Sequence, residues 1–234
     1  MLFMSGSTCF ALGSLGANWP QALPTWLADG AVIGLVFFIG SLFFTSAAWL
    51  QWLEATNGDV ADMAAPESHH CYATWRWFAW KPHNAGWLAS LIQLVGTFLF
   101  NLNTGDSMIY GLDWVAKDLL IWVPNMAGSV CFLAASYLAL VEFSHGWWSI
   151  RPRQVTWWIV IINLLGSIAF QTSALYGFFP ASSVAAWTWD ANLWTLVGAL
   201  CFLAGSYLLI PELFDADAQT AAEALADTHP SNLW

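Results

Sequence analysis

The chain has 234 residues, of which 59% are hydrophobic and 9% charged, with a formal net charge of −10. A soluble domain carries about 25% charged residues, so this chain cannot cover a water-facing globular surface. Five Lys and Arg also leave nothing basic enough to hold nucleic acid. In chain order, apolar stretches predict helices near residues 1–16, 31–53, 87–104, 119–143, 157–178 and 190–211. The first, "MLFMSGSTCFALGSLGA", lacks a basic n-region and a small-x-small cleavage site, so it reads as structure and not as a signal peptide. The second, "AVIGLVFFIGSLFFTSAAWLQWL", is free of charge. About 20 such residues at 1.5 Å each cross a 30 Å hydrocarbon core. The predicted fold is an all-α, six-helix polytopic transmembrane bundle, whose principal partner is the lipid bilayer.

One spacing recurs in all six stretches. Each holds a glycine (Gly6, Gly40, Gly96, Gly128, Gly166, Gly198) followed by a small residue: Ser7, Ser41, Thr97, Ser129, Ser167 or Ala199. Four residues after each glycine comes a phenylalanine: Phe10, Phe44, Phe100, Phe132, Phe170 and Phe202. Seven after it stands Gly13, Ala47, Asn103, Ala135, Ser173 or Gly205. On a helix, offsets of four and seven fall within roughly 40° of the glycine. Each helix thus shows one face reading small, Phe, small. Helices inside lipid are held by close backbone approach and interlocking bulk, so each Phe is expected to fill the notch at a neighbour's glycine. The adjoining hydroxyl is expected to bond to a facing helix or to its own backbone.

A second layer groups the helices in pairs. Fourteen residues past the glycine in the second, fourth and sixth lies Glu54, Glu142 or Glu212. The third and fifth open with Lys81-Pro82 or Arg151-Pro152 and, five residues on, Trp87 or Trp157. Proline suits a first helical turn, and Trp beside a cation marks a membrane–water boundary. The unit is therefore a helical hairpin used three times, over about 1–53, 87–143 and 157–213. The loop 54–86 separates the first two, and an acidic tail, 214–234, shows no packing pattern and is expected to be disordered. By this register the first helix lacks its opening element, which predicts that the native chain extends ahead of Met1. Arg76, Lys81, Arg151 and Arg153 fall in loops of one side and Lys117 alone in the other, which predicts both termini in the cytoplasm. "CYATWRWFAWKPHNAGW" reads as a segment lying in the headgroup layer, in preference to a lid or docking surface.

Candidate chemistry is sparse. Glu54, Glu142 and Glu212 sit at equivalent positions and are able to form a cation-attracting ring. However, each lies about 18 Å from mid-helix, at headgroup depth, where a carboxylate needs no special pairing. At membrane depth the polar residues are amides. Gln93 and Asn163 precede their glycines by three, Asn101 and Gln171 follow theirs by five, and Asn103 adds another. These are candidates for a polar pathway or pocket, or else for helix–helix bonds worth about 0.6–2 kcal/mol each. The first helix offers Phe3 and Ala11 at the matching places, which breaks the threefold. His69, His70, His83, His145 and His229 all lie outside the spans, against a membrane haem. Cys9, Cys71, Cys131 and Cys201 show no C-x-x-C spacing. No nucleophile, base and orienter can be assembled; neither catalysis nor a metal or other cofactor is expected.

The segments "VFFIGSLFFTSAA" and "LLGSIAFQTSA" resemble the YrhK-like family of small bacterial membrane proteins, whose core is a pair of helices built on phenylalanine-rich G-S-x-x-F segments. The resemblance covers the three hairpins and leaves the long loop and tail outside. It implies a multi-pass bacterial inner-membrane protein without an assigned reaction, and carries over no catalytic residue. Asn101, Asn103 and Gln171 depart from the plain pattern. Two functions follow from the sequence: a non-enzymatic structural or accessory protein, self-associating through its small-residue faces, or a channel or transporter for a small neutral or cationic solute. Amides facing one cavity favour the second; amides spent on helix–helix bonds favour the first.

Overall fold

In a computed structural model the described residues are 1–63, 75–178 and 184–228, with side chains described for 1–58, 75–178 and 188–211. They form six helices: α1 Leu2–Asn18, α2 Gly30–Met63, α3 Ala85–Asp106, α4 Trp114–Ser144, α5 Val155–Tyr176 and α6 Val184–Thr228. Local chemistry sets several of the ends. Asp29 accepts from Ala31 N at 2.9 Å, Asn84 from Trp87 N at 2.8 Å and Asp113 from Ala116 N at 2.8 Å, which satisfies N–H groups the helices leave free. After α4, His145 turns left-handed (φ 48°), the C-terminal stop that lets Gly146 N reach back to Val141 O. Within α4, Asp118–Trp122 form a wide π turn just before Pro124, whose missing N–H removes one regular helical bond.

Five helices, α2 to α6, are long and apolar enough to cross a membrane. The 17 residues of α1 reach about 25 Å, and this shorter helix is held between α2 and α6. The bundle is a closed ring: each helix packs on the next, and α6 returns to α1. α1–α2, α3–α4 and α5–α6 are the three expected hairpins. Two helices outrun their expected ends. α2 continues past Glu54 to Met63, and α6 continues to Thr228 through most of the expected tail. Residues 64–74 of the long loop, with His69, His70 and Cys71, and 229–234, with His229, lie outside the described residues.

The ring closes around phenylalanine. Phe10, Phe44, Phe100, Phe132, Phe170 and Phe202 form one buried cluster, each between 2% and 7% exposed. Because alternate helices run in opposite directions, the rings fall in two layers. Phe44, Phe132 and Phe202 make a triangle with centroids 6.4, 6.2 and 5.9 Å apart. Below it, Phe170 lies 5.9 Å from both Phe10 and Phe100. Within each hairpin one ring from each layer meets its partner, at 5.4, 5.1 and 5.3 Å.

The notches work as expected. A Cβ on Gly40 would lie 2.9 Å from Phe10 Cδ2, one on Gly96 2.9 Å from Phe132 Cδ2 and one on Gly198 2.7 Å from Phe170 Cδ1. The facing glycines Gly6, Gly128 and Gly166 stand in the reverse relation to Phe44, Phe100 and Phe202. Cys9, Cys131 and Cys201, each three residues after a glycine, set their Cβ atoms into the same crossings. They are packing residues of the size the gap allows.

Trp87 departs from the sequence reading. It is fully buried in the seam between α2 and α3, in a cluster with Ala48, Trp52, Leu53 and Leu94, and so turns its ring to protein and not to the bundle surface. The fully buried Ala48 leaves room for the ring, and its indole N–H is satisfied by Thr56 Oγ1 at 3.1 Å. Trp75, Trp77, Phe78 and Trp80 are exposed at that end, as a segment lying among headgroups requires.

Candidate functional site

Above the Phe44–Phe132–Phe202 triangle lies a cavity of about 650 Å³. It opens at the end of the bundle that carries Glu54. Ala47 and Ala135, the small residues three positions on from Phe44 and Phe132, make the space, since they cannot fill it. Ile159, Val160, Leu50 and Leu209 form apolar walls; Gln51 and Glu54 stand at the mouth.

The amides divide between two fates. Gln93 and Asn163 line this cavity, and Phe3 takes the corresponding place on α1. These three share one register position, three residues before the glycine of each odd helix. Asn163 rests against Gly205, where a Cβ would lie 2.5 Å from its Oδ1. Asn101, Asn103 and Gln171 lie beyond the phenylalanine layers and are used between helices. Asn101 Nδ2 donates to Thr45 Oγ1 at 2.8 Å, Asn103 Nδ2 to Ile121 O at 2.8 Å and Gln171 Nε2 to Met126 Sδ at 2.9 Å. The carbonyl oxygens of Asn101 and Gln171 are buried without a partner. The cavity takes two of the five.

Hydroxyls bolt the seams between hairpins. Ser41 and Thr104 meet at 3.0 Å across α2–α3, and Ser136 and Ser167 at 2.6 Å across α4–α5. Ser167 also donates to Asn163 O at 3.1 Å, which makes Ser136 the donor between the two hydroxyls. Thr97 bonds only to its own backbone, at Leu94 O, while Ser7 is buried with no partner. Hydrogen bonds between membrane helices average about 0.6 kcal/mol because the separated helices find other partners. A double-mutant cycle of Ser136→Ala and Ser167→Ala is therefore expected to give a coupling of about 0.6 kcal/mol, read by steric trapping in bicelles. A coupling indistinguishable from zero refutes this role.

The carboxylates do not form a ring among the described side chains. Glu54 and Glu142 are exposed, and the side chain of Glu212 lies outside those described. Of the two described carboxylates, Glu54 reaches the cavity and Glu142 does not. Glu142 instead lies over the first turn of α3, where a Cβ on Gly86 would stand 2.6 Å from its Oε1. An anion there is favoured by the helix N-terminus. Arg151 stacks its guanidinium 5.8 Å above the Phe143 ring. Among the described residues no group of three His, Cys, Asp or Glu is placed to hold a metal.

Ser136 and Ser206, also on the cavity wall, were not singled out by the sequence. The signal was present, since both stand eight residues past a glycine on even helices. No protein-family model, curated protein or solved structure matches this chain.

Proposed function

We propose that this membrane protein is a non-enzymatic structural or accessory component of a bacterial inner membrane, with both termini in the cytoplasm. The observation that carries this reading is the double layer of six buried phenylalanines across the bundle axis, an apolar plug among the described residues. The loop cations support the orientation, with Arg76, Lys81, Arg151 and Arg153 opposite Lys117. The paired G-S-x-x-F faces support the YrhK-like resemblance. Self-association, which the sequence placed on the small-residue faces, must use another surface, because those glycines are spent inside the hairpins. Outward residues such as Leu102 and Leu165 are the surface that is left.

A second reading, a gated channel or carrier for a small solute, has one observation in its favour. Gln93 and Asn163 line a cavity that runs down to the phenylalanine triangle, the form of a vestibule above a hydrophobic constriction. Reconstitution into liposomes with a screen of small neutral solutes and monovalent cations separates the two. Wild type, Asn101→Leu and Gln171→Leu are all expected to match protein-free liposomes. Saturable flux through wild type that falls in Gln93→Leu establishes the second reading and removes the first.

A further inference from the structure

The cavity has the volume of a drug-sized ligand site, about 300–1,000 Å³, and the one charged side chain on its described lining is a carboxylate. Its floor is the triangle of Phe44, Phe132 and Phe202. Also on its lining stand the carboxamides of Gln93 and Asn163, whose side chains make no hydrogen bond among the described residues. Half-buried carboxamides that no protein group engages turn to whatever fills the cavity. At the mouth stands the carboxylate of Glu54. No Lys, Arg or His side chain lines the space among the described residues. Met1 reaches the same rim, but the described residues hold no ion pair between it and Glu54.

Aromatic faces attract cations through their quadrupole, more strongly the less water competes. Carboxamide oxygens can turn toward a positive centre, and a carboxylate at the mouth draws one in. The apolar walls, Ile159, Val160, Leu50 and Leu209, require that the charge be carried on a greasy body. We propose that this cavity is a binding site for a lipophilic monocation, a bulky aromatic or alkyl group with a delocalised or quaternary positive charge. The site requires no transport and stands whether or not the bundle conducts.

The test uses the full chain in phosphatidylcholine nanodiscs and two probes of matched shape and opposite charge, tetraphenylphosphonium and tetraphenylborate. Binding is read by equilibrium dialysis against protein-free nanodiscs. Saturable tetraphenylphosphonium binding is expected, tighter than that of the borate by at least about fivefold. Glu54→Gln should narrow that ratio and Glu54→Lys should shift it toward the borate; both changes are at an exposed position and leave the fold alone. Ala139→Trp, at a half-buried wall position, should remove binding while circular dichroism stays unchanged. Equal binding of the two ions, binding that survives Ala139→Trp, or no saturable binding in wild type each overturn the proposal. If Ala139→Trp alters the dichroism, Glu54→Lys decides by itself: a ratio that does not move refutes the site.

Discussion

Liposomes carrying Phe100→Ala together with Phe132→Ala are expected to leak small monovalent cations, where wild-type liposomes stay tight. The two rings lie 5.1 Å apart and belong to different layers, so removing both opens a gap through the whole thickness of the plug. Each is at most 5% exposed, which leaves no neighbour free to swing into the space without leaving its own contacts. In water, Phe→Ala in a core costs about 3–5 kcal/mol. In lipid the cost is smaller, because the separated helices remain in an apolar solvent and only packing is lost. The leak should therefore appear in protein that is still assembled. Phe100→Leu with Phe132→Leu, which keeps most of the bulk, serves as the control and should stay tight. A folded alanine variant as tight as wild type shows that the seal lies elsewhere.

Gly198→Val is expected to destroy the third hairpin. Its Cβ would stand 2.7 Å from Phe170 Cδ1 and 3.0 Å from the backbone oxygen of Gly166. The ring belongs to the central cluster and the oxygen to another helix, so neither gives way without moving α5 and α6 apart. Overpacking of this kind costs about 3 kcal/mol or more. Thermal unfolding in detergent should show a lowered Tm, and size exclusion should show loss of the main peak. Gly58→Val provides the contrast, because nothing lies within 4 Å of a Cβ there. Equal stability of the two variants contradicts the close crossing of α5 and α6.

Much of the architecture was legible because membrane packing is written in side-chain size. The run from Gly166 to Phe170 and Ser173 predicts a notch, a knob and a second small contact on one face, and the described helix buries all three. Two things were not legible. Register alone does not say that a residue three before the glycine and one five after it fall on opposite sides of an aromatic plug. The eight residues between Gln93 and Asn101 span about 12 Å, enough to put one in a cavity and the other in a helix seam. Nor does a tryptophan beside a cation reveal its depth of burial. Trp87 and Trp157 share one register position, yet Trp87 is sealed behind Ala48 and Thr56 while Trp157 is half-buried and bonded to Ser149 O. The partner that seals Trp87, Thr56, belongs to the preceding hairpin and is distant in sequence.

The closure of the ring bears on how the protein is made. The seam between α6 and α1 is sealed by Asn18, which donates to Trp189 O and accepts from Asn192. Ribosomes add about 5–20 residues per second, so α1 waits roughly ten to thirty seconds for the residues it must grip. Throughout that interval one flank of the first hairpin faces lipid or an insertion factor with an unsatisfied carboxamide at its edge. Biogenesis of this molecule is thus at its most vulnerable before the last helix emerges, and a stall in translation after α5 strands five finished helices around an open slot.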